Sequence, residues 1–187
     1  MRPITIVLTE GYSDWEIAPL AGAGRAFYGA DIRFASPKGG ALTSAAGLVV
    51  ADTARFEAPS EGVVVVCGGP VFESNAAPDL SASLRQAKAA GCVIAGICGG
   101  TIALARAGLL DNVDHTSNAS GYLEQHAAAY AGAPNYVDQP KALRADDIVT
   151  APAPAPASFA ALVLAAAGLD TRKADALRVM LAAEHAT

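Results

Sequence analysis

The chain has 187 residues, a net charge of −5 and 52% hydrophobic residues. This length predicts one domain over residues 1–187 with a sizeable core. The acidic balance and the absence of a basic run exclude nucleic acid as an expected partner. The apolar runs are too short to span a membrane, and the N-terminus shows no signal-peptide pattern, so we expect a cytoplasmic protein without membrane contact.

Cysteine and histidine usage points away from disulfides and metals. Three cysteines are an odd number, which suits a reducing compartment. Cys67 and Cys92 lie in apolar, strand-like runs, where packing is their default role. His115, His126 and His185 form no metal-ligand spacing. We therefore expect neither a metal nor another cofactor.

Strand and helix patterns alternate in the first half of the chain. The predicted elements are a strand over 4–8, a helix over 14–28, a strand over 31–35 and a hairpin over 42–51. Ser13 is the predicted N-cap of the first helix, and Glu16 is its capping-box partner. Pro19 and two glycines weaken that helical pattern.

The second half continues the alternation. Strands are predicted over 63–66, 92–97, 136–137 and 142–151. Helices are predicted over 78–90, 102–109, 120–131 and 159–167, and from Asp170 or Thr171 to about 183. The repeated Ala-Pro of 151–157 predicts an extended connector. This order predicts an open, mostly parallel sheet with helices on both faces. Sites in such sheets form beyond the carboxyl ends of the strands.

The turn over 93–101 is the main candidate site. An apolar run ends on Cys98, which glycines flank, and a helical pattern follows at once. A sharp strand-to-helix turn would hold the Cys98 side chain over a helix N-terminus, whose free N–H groups and dipole favour a thiolate. The alternative is that Cys98 is a small core residue, because free cysteines are often buried.

Three segments resemble the PfpI/ThiJ superfamily, also described as class I glutamine-amidotransferase-like. This superfamily includes intracellular proteases, stress chaperones, glyoxalases, isonitrile hydratases and the parkinsonism-associated deglycase. Gly11–Glu16 matches its acidic residue after the first strand, Val66–Pro70 its glycine-pair loop, and Ala95–Thr101 its nucleophile elbow. A weaker likeness, Ile148–Ala160, extends the resemblance to about residues 3–168. It implies a flavodoxin-like three-layer sandwich and a homodimer.

The resemblance also implies roles for individual residues. Cys98 would be the reactive thiol, Glu16 would hydrogen-bond its sulfur, and the amides of Gly69 and Gly99 would form an oxyanion pocket. The chemistry supports these roles, because a carboxyl beside a thiolate is partly protonated and can then move a proton. The competing role for Glu16 is helix capping.

One departure from the family pattern limits the activity. Protease-like members place a histidine directly after the cysteine, where this chain has Gly99. Other members supply a histidine from a position that aligns with Asn118, three residues after His115. The late His185 lies near the terminus. No Cys-His-acid triad is visible, so we expect neither peptide nor glutamine hydrolysis.

Two more residues near the predicted site each have two alternative roles. His115 either reaches the pocket or lies at the surface or a strand edge. Cys67 either packs or resolves an oxidised Cys98 as a disulfide. The shape of the pocket is expected to depend on Tyr12, Trp15, Val71, Phe72 and the segment 115–118.

Two functions use the same residues. The first is a hydratase, glyoxalase or amidase-like enzyme, in which Cys98 attacks a small electrophilic substrate and Glu16 acts as acid and base. The second is a non-catalytic redox or stress-response protein that senses oxidants through Cys98. A plain binding module would leave Cys98 unreactive.

Overall fold

A computed structural model describes residues 1–183, and its central feature is a seven-stranded sheet. The strands are β1 Ile4–Val7, β2 Ile32–Ser36, β3 Leu42–Thr43, β4 Val49–Val50, β5 Ala54–Arg55, β6 Val63–Val66, β7 Val93–Ile97, β8 Leu143–Ala145 and β9 Ile148–Ala151. The order in the sheet is β5-β2-β1-β6-β7-β9-β8. Only β8 runs antiparallel, against β9, while β3 and β4 form a separate hairpin.

Seven α-helices accompany these strands in residues 1–183. They are α1 Asp14–Ala18, α2 Gly24–Tyr28, α3 Ser81–Ala89, α4 Gly100–Arg106, α5 Tyr122–His126, α6 Pro156–Ala166 and α7 Thr171–Leu181. A π-helical turn over Pro19–Ala23 joins α1 to α2, so the predicted first helix forms but widens at Pro19, which has no N–H to donate. Gly29, with φ +61°, ends it.

Two apolar layers enclose the sheet. Leu20, Phe159 and Leu177 belong to the core on one face. Leu84 and Ile102 belong to the core on the other. The side chains of β6 alternate between these two cores, as the pleat of a strand buried on both sides requires. The predicted three-layer, mostly parallel sandwich is therefore confirmed.

Local predictions fail where chain packing overrides the pattern. The helix expected over 120–131 shortens to α5, because Gly121 with φ +83° precedes it and an extended Ala127 follows it. Tyr136 makes only an isolated bridge to His115 rather than a strand. The two-residue β5 has no apolar pattern and was not predicted. Asp170 does cap α7, with its Oδ1 accepting from the amides of Arg172 and Lys173.

The sheet order brings the carboxyl ends of β1, β6 and β7 side by side. Because these strands are adjacent and parallel, the loops that contain Tyr12, Gly68 and Cys98 meet at one edge. Among residues 1–183 no helix is both long and apolar enough to cross a membrane. The predicted late residue His185 lies outside the described residues.

Candidate active site

The backbone at Cys98 is held in a strained turn. Its φ is +53°, a left-handed value that costs a non-glycine residue on the order of 1–3 kcal/mol. The Cys98 amide donates to the Ala151 carbonyl at 2.9 Å. Its own carbonyl accepts from both the amide and the hydroxyl of Thr101, at 3.1 and 2.6 Å. These bonds hold the sharp strand-to-helix turn that the sequence predicted.

Glycines surround the turn because it packs directly on the loop after β6. A Cβ added at Gly99 would lie 2.8 Å from the Gly69 carbonyl oxygen, and one at Gly100 would overlap the Val66 carbonyl. No side chain fits between the two loops. This contact explains why position 99 is glycine.

Glu16 lies behind the cysteine and is fully buried. The predicted capping box is wrong, because Ser13 makes no side-chain cap hydrogen bond. The Glu16 carboxyl turns inward instead, and its Oε2 accepts the Gly68 amide at 2.8 Å and faces the Cys67 thiol at 3.9 Å. A Cβ added at Gly68 would lie 2.7 Å from the Cys98 Cβ and 2.9 Å from Glu16 Oε1. The carboxyl and the thiol therefore converge on one glycine.

The second carboxyl oxygen, Oε1 of Glu16, receives no hydrogen bond within the described part of the chain. A buried carboxylate oxygen without a donor is costly. A proton on Oε1 would turn it into a donor toward the Cys98 side chain, which converges with the carboxyl on Gly68. Burial also raises the pKa of Glu16, and the hydrogen bonds from neighbouring groups offset this only in part.

The Cys98 sulfur has an N–H donor beside it. Asn118 Nδ2 lies 3.4 Å from the sulfur. Burial nevertheless raises the pKa of the thiol to about 11, with the charge of Glu16 as the next cause. Beside a charged Glu16, desolvation and the carboxylate therefore outweigh the hydrogen bond from Asn118. The predicted thiolate then depends on whether Glu16 holds a proton.

Asn118 has a defined orientation. Its Oδ1 accepts the Ala153 amide at 3.0 Å, which identifies the other end of the side chain as the NH₂ group that faces Cys98. A neutral amide donates hydrogen bonds but does not take up a proton. Asn118 can therefore stabilise a charged sulfur without acting as a base.

His115 does not meet Cys98. It is fully buried, with Nδ1 2.8 Å from the Val113 carbonyl and Nε2 2.6 Å from the Tyr130 hydroxyl. The Tyr130 and Tyr136 rings pack edge-on against it. Both ring nitrogens are thus engaged in a structural cluster, and the residue of segment 115–118 that touches the sulfur is Asn118.

The two predicted oxyanion donors flank the cysteine. Within residues 1–183, no protein oxygen accepts a hydrogen bond from the Gly69 or Gly99 amide. The carbonyl of Gly69 accepts from the Phe72 amide at 3.4 Å, which holds the loop. These two amides remain available to a substrate atom that becomes negatively charged.

The residues expected to shape the pocket differ in exposure. Trp15 is 55% exposed on the outer side of α1, whereas Tyr12 and Phe72 are buried. A cleft of about 440 Å³ opens beside Asn118 and is bordered by Asp138 and Gln139. Cys67 is fully buried, and its thiol donates to the Ser13 carbonyl at 3.6 Å.

Two further residues near the cysteine were missed in the sequence. Tyr122 donates its hydroxyl hydrogen to Glu73 Oε1 at 2.7 Å. The four-residue spacing from Asn118 to Tyr122 was the only available signal.

Among the described residues, no group of three His, Cys, Asp or Glu side chains is arranged to hold a metal ion.

Comparison with known proteins places the chain among relatives of similar fold. A model of the DJ-1/PfpI family matches residues 2–166. A DJ-1 superfamily protein from Agrobacterium tumefaciens is 37% identical, with full coverage of both chains and a TM-score of 0.91. A thiJ/pfpI family protein from Bacillus anthracis is 25% identical over 98% of this chain and 90% of its own, with a TM-score of 0.82.

A curated relative matches over a shorter stretch. The uncharacterized protease YoaZ of Bacillus subtilis is 33% identical over 119 residues, which make up 64% of this chain. That stretch spans only 55% of the relative's own length.

Proposed function

The chain belongs to the DJ-1/PfpI family, and we propose that it is a cysteine-dependent enzyme acting on a small electrophilic substrate. Cys98 is the nucleophile and Glu16 is the acid and base. The amides of Gly69 and Gly99 stabilise the charge that develops on the substrate.

The observation that carries this proposal is Glu16 Oε1, a buried oxygen without a hydrogen-bond donor, in a carboxyl that converges with Cys98 on Gly68. The Cys98 sulfur faces the NH₂ group of Asn118 at 3.4 Å. Two negative charges in contact are costly, so Glu16 and Cys98 share one proton at neutral pH. The hydrogen-bond pattern favours that proton on Glu16, because it supplies the missing donor and leaves the sulfur charged.

The chemistry then follows from the position of that proton. With a 2-oxoaldehyde, the sulfur attacks the aldehyde carbon and forms a C–S bond, while the C=O π electrons move to oxygen. The Gly69 and Gly99 amides hold that oxygen, and Glu16 gives it the proton, leaving a hemithioacetal and a carboxylate. With an isonitrile, the sulfur adds to the terminal carbon and Glu16 protonates that carbon. Either addition leaves Glu16 as a carboxylate, which acts as the base in the step that follows the addition.

Peptide hydrolysis is not proposed. Amide cleavage needs a group that takes the thiol proton and returns it to the departing amine, and histidine does this in Cys-His enzymes. Asn118 occupies the corresponding position and carries no titratable proton, while His115 is held by Val113 and Tyr130.

A substrate panel tests the proposal. Methylglyoxal and an aryl isonitrile are offered to the wild type, to Cys98→Ser and to Cys92→Ala. Cys92 is a matched control, because it is a buried thiol beside the opposite end of β7. Turnover that Cys98→Ser abolishes and Cys92→Ala retains supports an enzyme. No turnover of either substrate by the wild type contradicts this assignment.

Redox sensing is the second candidate, and one observation favours it. Cys98 is partly exposed, whereas Cys67 and Cys92 are buried, so an oxidant in solution reaches Cys98 first. Selective oxidation of Cys98 by peroxide, in a chain that turns over neither substrate, would support this function instead.

We also propose that the protein is a cytoplasmic homodimer. A reducing compartment keeps the reactive thiol free. Trp15 and Leu48 are 55% and 62% exposed on two adjoining elements, since the amide of Ala46 in the hairpin donates to Asp14 of α1 at 2.8 Å. A second copy would cover this apolar surface.

A further inference from the structure

A pair of buried hydroxyl groups joins the turn at Cys98 to the segment that contains Asn118. Thr101 in α4 and Ser117 are both buried, and their Oγ atoms lie 2.6 Å apart. The Thr101 hydroxyl is also 2.6 Å from the Cys98 carbonyl. The proposed mechanism gives the Ser117 hydroxyl no role, although Ser117 directly precedes Asn118.

The direction of this hydroxyl bridge follows from the number of hydrogens. A carbonyl oxygen can only accept, so Thr101 donates its single hydroxyl hydrogen to Cys98. Ser117 must then donate to Thr101 Oγ1, whose lone pairs are free to accept. Hydrogen bonds therefore run from Ser117 through Thr101 to the backbone of Cys98.

The end of β9 holds the same two segments. The Thr116 amide donates to Thr150 Oγ1 at 2.9 Å, and both residues are fully buried. The Cys98 amide donates to the carbonyl of Ala151, the next residue of β9, at 2.9 Å. One strand end is thus a common support for the reactive turn and for the segment before Asn118.

The Asn118 side chain depends on these supports because it is exposed and packing does not confine it. Its Oδ1 accepts the Ala153 amide at 3.0 Å, and its Nδ2 lies 3.4 Å from the Cys98 sulfur. Water competes for both of these contacts at an exposed amide. The backbone of Asn118, by contrast, continues directly from the buried Ser117. The distance from Nδ2 to the sulfur therefore depends on how firmly Ser117 is held.

We propose that Ser117 and Thr101 are positioning residues, whose hydroxyl bridge keeps the Asn118 amide against the Cys98 sulfur. They act through Asn118 and the backbone of Cys98, and their hydroxyls do not touch the reacting atoms. The inference rests on the proposed role of Cys98 as the reactive thiol. It adds the contact that keeps a hydrogen-bond donor at the sulfur when the thiolate forms.

The test measures how fast iodoacetamide alkylates Cys98 as a function of pH, and its readout is the pH at which the rate reaches half its plateau. A hydrogen bond to the charged sulfur stabilises the thiolate, so its loss should raise this midpoint. In Asn118→Ala the midpoint should rise by about one pH unit. In Ser117→Ala the amide is present but less firmly held, and the midpoint should rise by about half a unit.

Substitutions at Thr101 examine the other half of the bridge. Thr101→Ser retains the hydroxyl and should keep the wild-type midpoint. Thr101→Val has a similar shape without the hydroxyl, and it should raise the midpoint at least as far as Ser117→Ala does.

A second hydroxyl bridge in the chain supplies the matched control. The buried Thr53 hydroxyl lies 2.8 Å from both Ser36 Oγ and the Gly40 carbonyl, which repeats the arrangement at Thr101. Ser36 ends β2, and β1 and β6 separate this strand from β7 in the sheet. Ser36→Ala and Ser117→Ala should lower the urea midpoint by similar amounts, but only Ser117→Ala should change the alkylation profile.

A double variant shows whether Ser117 acts through Asn118. In the background of Asn118→Ala, Ser117→Ala should raise the alkylation midpoint no further, because the amide that the bridge positions is already gone.

The outcomes distinguish this inference from the proposed function. Wild-type Cys98 that resists alkylation at every pH contradicts the reactive thiol itself. Reactive Cys98 with the same midpoint in Ser117→Ala and in the wild type contradicts the inference alone. A further rise in the double variant also contradicts it, and so does an equal rise in Ser36→Ala, since lost stability would then explain the effect.

Discussion

At the scale of single residues, the site depends on where one proton lies. Burial raises the pKa of Glu16, and burial together with the Glu16 charge raises that of Cys98. Both shifts disfavour two charges in this site at once, so the pair holds one proton at neutral pH. The unpartnered Oε1 of Glu16 and the Asn118 donor at the sulfur favour the carboxyl as its place.

Replacing the thiol isolates the titration of Glu16. In Cys98→Ser the folded-state pKa of Glu16 stays above its unfolded value of about 4.5, because burial is its main cause. The native state then holds the proton more tightly than the unfolded chain. The stabilisation is complete below the unfolded pKa and is lost as pH rises through the folded one.

The expected result is a urea midpoint of Cys98→Ser that falls as pH rises from about 4.5 toward neutrality. Adding Glu16→Gln, which cannot ionise, should remove this fall. Equal pH dependence in the two variants would show that Glu16 titrates normally in the folded protein.

At the scale of elements, the strand-to-helix turn at Cys98 packs on the loop after β6 through glycines, which leave no side chains between the two segments. Gly68 lies where the Glu16 carboxyl and the Cys98 Cβ meet, and Gly99 lies against the Gly69 carbonyl. A methyl group at Gly68 cannot enter without separating the carboxyl from the thiol.

Gly68→Ala should therefore slow alkylation of Cys98 at neutral pH by about a hundredfold, the usual effect of displacing reacting groups by about 1 Å. The matched control is Gly22→Ala in the π-helical turn, where an added Cβ meets no atom within 4 Å. It should react like the wild type. Full reactivity in Gly68→Ala would contradict the convergence of the two side chains on this glycine.

The elements show what the sequence could reveal and what it could not. The β-branched run of β6 and the glycine-flanked Cys98 predicted their strand and turn, since both signals are local. The role of Glu16 competed with helix capping, and only the position of the Gly68 amide shows which way the side chain turns. Asn118 meets Cys98 through tertiary packing, for which no local pattern exists.

At the scale of the whole molecule, parallel strands bring three loops to one edge of the sheet. The exposed Trp15 and Leu48 lie on elements beside the loop that contains Tyr12. Large apolar side chains on neighbouring surface elements are typical of an interface. Such a dimer would place its contact near α1, which carries Glu16.

The combined substitutions Trp15→Glu and Leu48→Glu should convert the dimer to a monomer in sedimentation analysis, because each buries a charge in the interface. Val179→Glu, at a residue that is 53% exposed on α7, is the control and should stay dimeric. A wild type that sediments as a monomer would contradict the proposed dimer.

The shared proton of Cys98 and Glu16 is tested most directly by the pH dependence of Cys98 alkylation in the wild type and in Glu16→Gln. In the wild type, a proton held on Glu16 should give fast alkylation with a plateau through neutral pH. In Glu16→Gln the thiol has no internal proton acceptor, so its rate at neutral pH should be about a hundredfold lower and rise about tenfold per pH unit. The proposal would be contradicted if the wild-type alkylation rate rose about tenfold per pH unit toward the thiol pKa of about 11, and if Glu16→Gln lowered the midpoint of the pH profile. Glu16 would then be an ordinary carboxylate that suppresses the thiolate.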